Sequence, residues 1–228
     1  FLDTCRLAEK LGVTRLTLLA GLPEAAPGDQ VPNWILYPFP AWYSERYEWQ
    51  WEERLVPFWR EHGKMAEDHG VRLCFELHPG DMVFNPEALF RLRSAVGPVI
   101  GCNLDPSHLF WQGMDIIEVV RTLGDAIYHV HAKDTGIDHH NVRVNGYLGF
   151  KEFQYHADRA WLFRTVGYGH DEGFWRDFVT ALRLAGYDDV LSIEHEDPLM
   201  DPEEGLHKAA TLLESVLMRR PPAGVWFE

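Results

Sequence analysis

Hydrophobic residues along the chain follow two spacings, one typical of short buried strands and one typical of amphipathic helices. Apolar runs of strand length, each followed by a loop, predict five strands, at 14–20, 71–76, 99–104, 126–131 and 190–194. Helical spacing predicts helices at 3–11, 45–69, 86–96, 115–123, 173–185 and 202–218. Pro57 should kink or restart the second of these helices. Strict alternation of the two elements predicts an α/β fold, with a parallel sheet covered by helices.

The number of strands distinguishes two architectures. A closed (β/α)8 barrel needs eight strands and about 250 residues, whereas this chain has 228 residues and leaves room for one helix after residue 194. We therefore expect a barrel that lacks about three amino-terminal βα units in this chain. Residues 1–218 would form one barrel domain, and 219–228 a proline-rich tail. The alternative is a complete open sheet of five strands.

Two connections are longer than ordinary loops of a compact domain. Residues 21–44 and 134–172 each follow a predicted strand and contain several aromatic side chains. In a barrel both would lie at the carboxyl ends of the strands, and we expect them to wall a pocket there. Alternatively they cover the barrel or form a contact between subunits. A homo-oligomer, dimer or tetramer, is consistent with the second interpretation.

Four side chains of metal-binding type end four successive predicted strands: Glu76, Asp105, His131 and Glu194. They are 29, 26 and 63 residues apart, which fits one βα repeat twice and then a repeat with an inserted loop. Carboxyl ends of neighbouring parallel strands meet at one mouth of a barrel. Three carboxylates and an imidazole there would need a divalent cation to offset their repulsion. For any one of them alone, a buried ion pair or a helix cap is the alternative.

Charge and cysteine content narrow the class of partner and compartment. The chain has 21 basic and 35 acidic residues, giving a net charge of −14, which disfavours nucleic acid and anionic membrane partners. No apolar run approaches the roughly 20 residues that span a bilayer. Cys5, Cys74 and Cys102 lie far apart, and we expect buried thiols in a reducing, cytoplasmic compartment.

Four motifs in order resemble those of the sugar phosphate isomerase/epimerase family, part of the xylose-isomerase-like TIM barrel superfamily, with ketose 3-epimerases and endonuclease IV as relatives. The motifs are Phe75-Glu76-Leu77-His78-Pro79, Asn103-Leu104-Asp105-Pro106-Ser107-His108, His129-Val130-His131-Ala132-Lys133-Asp134 and Ile193-Glu194-His195-Glu196-Asp197. The resemblance runs over residues 1–218 and implies that the five strands are strands 4 to 8 of the barrel. It also implies that the metal ligands are Glu76, Asp105, His131 and Glu194.

Three hard oxygens and one nitrogen suit Mn²⁺ best, with Mg²⁺, Co²⁺ or Zn²⁺ also possible. Such an ion would bind vicinal oxygens of a sugar and stabilise the enediolate left when a proton departs next to a carbonyl. By resemblance to the epimerases, Glu76 and Glu194 are the catalytic acid and base. The sequence thus predicts a metal-dependent sugar isomerase or epimerase. The expected substrate is a small sugar or cyclitol, because the sequence has no clear phosphate-binding loop.

Five further residues are candidates for substrate binding, each with a structural alternative. His108 could reach a substrate hydroxyl or a second metal, or it could make a loop hydrogen bond. Lys133 could neutralise an enediolate or a substrate anion, or it could pair with Asp134 or Glu196. Glu196 is itself a candidate at the strand end. His78 could line the mouth or be an ordinary loop residue. Trp111 could support a sugar ring or pack in the core.

Three other functions remain open at this point. A lyase or dehydratase acting on a keto-sugar or keto-inositol would begin with the same proton abstraction. An abasic-site endonuclease would fit the Asp105-x-x-His108 pair, but it needs further histidine ligands and a basic surface. A carbohydrate-binding protein without turnover is the last alternative. We expect His129, which shares strand parity with His131, to be a core histidine rather than a ligand.

Overall fold

Parallel strands form the central sheet of this protein, in a computed structural model that describes residues 1–220. Those residues contain the strands β1 (Arg15–Leu18), β2 (Arg72–Glu76), β3 (Ile100–Leu104), β4 (Ile127–Ala132), β5 (Asp134–Ile137), β6 (Trp161–Arg164) and β7 (Leu191–Ile193). The sheet has the order β1-β2-β3-β4-β7, and every neighbouring pair in it is parallel. The predicted strands and their parallel arrangement are therefore confirmed, and the sheet forms part of a (β/α) barrel.

Helices connect these strands as the alternating pattern predicts. The α-helices are α1 (Leu2–Leu11), α2 (Trp42–Trp49), α3 (Val56–Asp68), α4 (Pro86–Val96), α5 (Ser107–Phe110), α6 (Ile116–Leu123), α7 (His139–Asn145), α8 (Glu172–Leu184) and α9 (Pro202–Val216). Several begin with a side-chain cap, such as Asn85 before α4 and Asp115 before α6. Most of the predicted tail at 219–228 lies outside the described residues.

The predicted helix at 45–69 is a composite of three segments. A π-helical stretch, Gln50–Leu55, separates α2 from α3, and Pro57 lies in the first turn of α3. Proline has no N–H to donate, and its ring clashes with the carbonyl four residues earlier. The wider π turn immediately before Pro57 avoids that conflict, so the restart expected there is confirmed.

The connection at 134–172, predicted as a loop, contains regular structure. Strands β5 and β6 pair in antiparallel fashion and enclose α7, and we call β5, α7 and β6 together the β5–β6 insertion. The sequence treated this segment only as a long loop and missed its strands, because each of them has only four residues. Such short strands leave too little periodicity to detect in the sequence.

The hydrophobic core lies between the sheet and its outer helices. Phe75 of β2 packs edge-on against Trp59 of α3, with ring centroids 4.6 Å apart, and both side chains are buried. Because side chains alternate along a strand, the face of β2 opposite Phe75 is left for Glu76. Cys5, Cys74 and Cys102 are buried free thiols. Over the described part of the chain, no helix is both long and apolar enough to cross a bilayer.

Gly101 in β3 permits a close contact that no other residue would. The ring of Tyr128 in β4 covers Gly101, and a Cβ at that position would overlap three carbons of the ring. Tyr128 is held there by its hydroxyl, which donates to the Pro98 carbonyl oxygen at 2.6 Å and accepts from Arg93 at 2.8 Å. This contact joins two strands of the candidate site to the end of α4.

We expect Gly101→Ala to destabilise the protein by about 1–3 kcal/mol, since the added methyl group forces Tyr128 from its position. Gly149→Ala is the matched control, because its nearest neighbours would lie 3.8 Å away and no strain is expected. Chemical denaturation followed by circular dichroism measures both. Equal stability of the two variants would contradict the proposed packing.

Candidate metal centre

Four neighbouring strands bring the predicted ligands to one end of the sheet. Glu76 is the last residue of β2, Asp105 directly follows β3, His131 is the penultimate residue of β4, and Glu194 directly follows β7. In the sheet order these four strands are adjacent. The parallel arrangement therefore places all four side chains at the carboxyl ends, as the sequence pattern predicts.

The four side chains converge closely enough to share one ion. One potential ligand atom from each of Glu76, Asp105, His131 and Glu194 lies within 4.8 Å of the others. The Nδ1 atom of His131 is 3.3 Å from Oε2 of Glu76 and 2.9 Å from Oε2 of Glu194. Two ligands at right angles around an ion, with bonds of about 2.1 Å, are about 3 Å apart. The spacing matches that of ligands around a small divalent cation.

Two buried carboxylate oxygens in this group are suited to a cation. Asp105 is fully buried, and its Oδ1 accepts a hydrogen bond from the backbone N–H of Ser107 at 2.8 Å. Its Oδ2 atom and Oε2 of Glu194 are buried and make no hydrogen bond of regular geometry among the described residues, although Nζ of Lys133 lies 3.5 Å from the first and Nδ1 of His131 lies 2.9 Å from the second. A buried carboxylate oxygen without a partner is costly. A divalent ion bound between these oxygens would remove that cost.

The hydrogen bond between Ser107 and Asp105 concerns the helix-cap role that the sequence offers as an alternative to metal binding. Oδ1 of Asp105 accepts from the backbone N–H of Ser107, the first residue of α5, although Pro106 and not Asp105 occupies the N-cap position of that helix. This hydrogen bond uses one oxygen only and leaves Oδ2 directed elsewhere. It is therefore compatible with metal binding by Asp105, and it fixes the orientation of the carboxylate.

Electrostatic interactions shift the pKa values of the four groups in different directions. Burial alone would lower the pKa of His131, but Glu194 and Glu76 outweigh it and raise the pKa to about 9. Burial would raise the pKa of Glu76, but His108 and His131 outweigh it and hold the pKa well below its ordinary value. For Asp105, burial is the largest cause and raises the pKa. These pKa shifts in opposite directions have one cause, an excess of acidic groups in a small buried volume.

Lys133 is the cation that the structure itself places among these carboxylates. Its side chain is only 2% exposed, and Nζ lies 3.5 Å from Oδ2 of Asp105, 3.2 Å from Oε1 of Glu194 and 2.5 Å from Oε2 of Glu196. Burial would lower its pKa, but these carboxylates, Asp105 first, raise it. Lys133 therefore carries its charge in the site. The pairing with Glu196, one of the alternatives that the sequence left open, is present, whereas Asp134 contacts His170 instead, and Glu196 remains half exposed.

Asn103 is a site residue to which the sequence reasoning gave no role. It is fully buried in β3, and its Nδ2 donates to Oε2 of Glu76 at 3.1 Å. The register pairs Asn103 with Glu76 on one side and with His129 on the other. Asn103 holds the Glu76 carboxylate in place. Its spacing of two residues from Asp105 was the available signal, since strand residues two apart share a face.

His108 and His78 lie beside Glu76, on the side away from His131. Nε2 of His108 is 3.0 Å from Oε1 of Glu76, and its ring is 4.3 Å from that of His78. Nδ1 of His78 is buried without a hydrogen bond in the described structure, with Oδ2 of Asp81 3.8 Å away. The structure thus groups two of the predicted substrate-binding residues with Glu76, one of the four candidate ligands. His129 is half-buried, with its ring 5.5 Å from that of His131.

The β5–β6 insertion contributes an aromatic side chain that the sequence reasoning did not single out. The Phe163 ring lies 4.3 Å from Nζ of Lys133 and 5.2 Å from the His108 ring. Trp161 contacts both Phe163 and Trp111. The rings of Trp111 and Trp161 stack nearly parallel with their centroids 4.8 Å apart, and Trp111 is 7% exposed. Trp111 therefore packs within this aromatic cluster, the alternative that the sequence left open.

The two long connections differ in their relation to the site. The β5–β6 insertion walls it through Phe163, as expected for the 134–172 segment. The 21–44 segment instead packs Trp34 against Phe84 at 5.3 Å. It also lines a separate cleft, formed with Phe84 and α2, which includes none of the four candidate ligands. A pocket-wall role for 21–44 at the metal centre is therefore not seen in this arrangement.

Curated proteins similar to this chain include an uncharacterized protein and an inosose dehydratase. The chain is 42% identical over 217 residues to the uncharacterized protein YfiH of Bacillus subtilis, a match that covers 94% of this chain and 69% of YfiH. It is 27% identical over 150 residues to the inosose dehydratase of Geobacillus thermodenitrificans, covering 64% of this chain and 48% of that enzyme. The chain therefore spans only part of each of these proteins.

Solved structures share the fold at low sequence identity. A xylose isomerase domain protein from Planctomyces limnophilus superposes with a TM-score of 0.62 at 20% identity, over 94% of this chain and 64% of that one. A D-psicose 3-epimerase superposes with a TM-score of 0.56 at 17% identity, over 94% of this chain and 67% of that one. The probable 3-DHS dehydratase AsbF of Bacillus anthracis superposes with a TM-score of 0.59 at 17% identity, over 93% of this chain and 69% of that one. The family described as xylose isomerase-like TIM barrel matches residues 1–216, and this chain belongs to that family.

Proposed function

We propose that this protein is a divalent-metal-dependent sugar isomerase or epimerase that moves a proton on a carbon next to a carbonyl group. The observation that supports this most directly is the convergence of Glu76, Asp105, His131 and Glu194, each of which offers one ligand atom within 4.8 Å of the others. The expected substrate is a small sugar or cyclitol, and Mn²⁺ is the expected ion because oxygen ligands predominate.

The relatives support sugar chemistry at a coarser level. Structures that share the fold include ketose 3-epimerases and dehydratases, and the curated relatives include an inosose dehydratase. Both reaction types begin with loss of a proton next to a carbonyl group. A sugar-modifying enzyme therefore fits all of these relatives, and the step after proton abstraction distinguishes the reactions.

Two glutamates are suited to the acid and base roles. A bound cation would polarise the substrate carbonyl and so make the neighbouring carbon acidic. Glu194 is the more open of the two, with 35% of its side chain exposed against 13% for Glu76. His131 first, and then Lys133, lower the pKa of Glu194, which keeps it ionised and able to accept a proton. Glu194 is therefore the proposed base.

The reaction outcome depends on where the proton returns. Glu194 accepts the proton from carbon, and the electron pair moves toward the carbonyl oxygen. Delivery of a proton to the opposite face of the same carbon through Glu76, to which His108 passes a proton across their 3.0 Å contact, gives an epimer, whereas delivery to the neighbouring carbon gives an isomer. Lys133 lies 3.2 Å from Oε1 of Glu194 and keeps a positive charge next to the base throughout. Phe163 covers Lys133 and limits the access of water.

Dehydration is a second candidate, supported by the similarity to an inosose dehydratase over 64% of this chain. In that reaction Glu194 removes the proton as before, and a hydroxyl group on the next carbon leaves with the electron pair. Leaving hydroxide needs a proton donor, and His108 next to Glu76 is placed to supply one. The two reactions differ in product mass, because dehydration alone releases water.

Solvent deuterium exchange over a panel of ketoses and inososes tests the proposal. The protein is stripped with EDTA, reloaded with Mn²⁺ and incubated with each compound in D₂O. We expect uptake of one deuterium only in the Mn²⁺-loaded sample, with a mass otherwise unchanged for an epimerase or reduced by one water for a dehydratase. Absence of both exchange and product for every compound would overturn the proposal.

Replacement of the proposed base separates catalysis from binding. We expect Glu194→Gln to reduce the deuterium exchange rate by about 100-fold or more, since a positioned general base contributes at least that factor. Sugar binding, measured by isothermal titration calorimetry, should change far less. Glu203→Gln, at an exposed position in α9, is the control. Unchanged exchange in Glu194→Gln would remove Glu194 from the mechanism.

Lys133→Met tests whether the lysine and a metal ion compete for the same carboxylates. Without the ammonium group, Asp105 and Glu194 lose a partner, so we expect a loss of about 3 kcal/mol in stability in EDTA. The variant should bind Mn²⁺ about tenfold more tightly, because a competing positive charge is gone. Its melting temperature should therefore rise more on Mn²⁺ addition than that of the wild type.

Lys208→Met is the matched control for Lys133→Met, because Lys208 is exposed and pairs with Tyr168 and Glu204 at the surface. It should leave the Mn²⁺ affinity unchanged. Weaker Mn²⁺ binding by Lys133→Met would show that the lysine supports the ligand geometry rather than competing with the ion.

A further inference from the structure

The geometry points to Asp197 as a positioning residue that holds the proposed base, Glu194, in place by fastening the chain after β7 to the end of β6. Asp197 lies three residues after Glu194, and its side chain is fully buried. The inference rests on the proposed function, because it takes Glu194 as the base, and it concerns how that carboxylate is held.

Both carboxylate oxygens of Asp197 accept hydrogen bonds. Oδ2 accepts from the backbone N–H of Thr165 at 2.9 Å and from Nε of Arg164 at 3.1 Å, and Oδ1 accepts from the backbone N–H of Leu199 at 2.9 Å. We call these three hydrogen bonds the Asp197 anchor. Burial would raise the pKa of Asp197, but the two backbone donors and Arg164 outweigh it and lower the pKa. A buried carboxylate held on both oxygens by a cation and two N–H groups is firmly fixed.

The proposed base lies where the pairing of β7 with its neighbour ends. The N–H of Glu194, just beyond β7, donates to the carbonyl oxygen of Ala132 at a long distance of 3.3 Å. Oε1 of Glu194 and Oε2 of Glu196 both contact the Lys133 ammonium group, so these alternate residues face the site. The Asp197 anchor fixes the chain immediately after them.

The Asp197 anchor also connects the two sides of Lys133. Arg164 is the last residue of β6 and directly follows Phe163, whose ring lies 4.3 Å from Nζ of Lys133. Asp197 therefore fixes the position of Glu194 relative to Phe163, the cover of the lysine. Loss of the anchor should let Glu194 shift, and a displacement of about 1 Å can reduce a reaction rate by about 100-fold.

Asparagine at position 197 removes the Asp197 anchor with little change in side-chain volume. An amide offers one acceptor oxygen and one NH₂ donor. The groups that face the two oxygens of Asp197 are all N–H donors. Whichever way the amide turns, its NH₂ group therefore meets another N–H.

Asp197→Asn in the full chain, stripped with EDTA and reloaded with Mn²⁺, tests the inference by deuterium exchange and by calorimetric titration with Mn²⁺. We expect the exchange rate at saturating substrate, per bound Mn²⁺, to fall about tenfold or more, with KM changed less than about twofold. Mn²⁺ should bind about tenfold more weakly, because Glu194 is also a proposed ligand. Asp3→Asn, whose side chain is 96% exposed in the wild type, is the control and should match the wild type.

Arg164→Met is a second variant, which weakens the Asp197 anchor and leaves both backbone donors in place. We expect the same changes at a smaller size, with the exchange rate and the Mn²⁺ affinity each lower by about threefold. This variant decides the test if Asp197→Asn does not fold, as judged by circular dichroism.

The two readouts separate this inference from the proposed function. An exchange rate and a Mn²⁺ affinity that both stay at the wild-type level in the folded variants would overturn the inference, even if the melting temperature falls, while exchange by the wild type would leave the proposed function standing. Weaker Mn²⁺ binding by the variants, with no exchange by the wild type, would support the anchor and contradict the proposed function. A wild type that neither binds Mn²⁺ nor exchanges deuterium would overturn both.

Discussion

Repulsion among carboxylates that meet at the ends of parallel strands is the constraint on which this structure depends. The backbone of the sheet fixes where Glu76, Asp105 and Glu194 emerge, so the side chains cannot separate without breaking the register of the strands. Burial removes the water that would otherwise screen them. Cations or protonation of a carboxylate can resolve the conflict, and the protein meets part of that need with Lys133 and with His131, whose pKa rises to about 9.

This constraint relates the architecture to the proposed chemistry. Groups on strands keep their positions, and Asn103, Ser107 and His108 hold the carboxylates from behind. The more open glutamate, Glu194, follows β7, the last strand in the order of this sheet, and 35% of its side chain is exposed. The β5–β6 insertion adds Phe163 as an apolar cover over Lys133. A rigid acidic centre beside an open base suits abstraction of a carbon-bound proton, a step that epimerases and dehydratases share.

The sequence predicted those features that depend on repeated spacing. Five strands, their parallel order and the convergence of four side chains follow from apolar runs that each end in a metal-binding residue type. The β5–β6 insertion escaped prediction because strands of four residues carry little periodicity. The role of Asn103 and the contact of Lys133 with Phe163 depend on side chains that meet across the sheet, which no local pattern encodes. For the π-helical segment before Pro57, the sequence indicated only that the helix is kinked or restarted there.

Anomalous X-ray diffraction from crystals grown with Mn²⁺ tests the central claim most directly, because it locates the ion independently of any activity. The account predicts an anomalous peak with ligand distances of about 2.1–2.3 Å to Glu76, Asp105, His131 and Glu194. A peak bound elsewhere would contradict it. The absence of any peak between these four side chains, in crystals grown at a saturating Mn²⁺ concentration, would also contradict it.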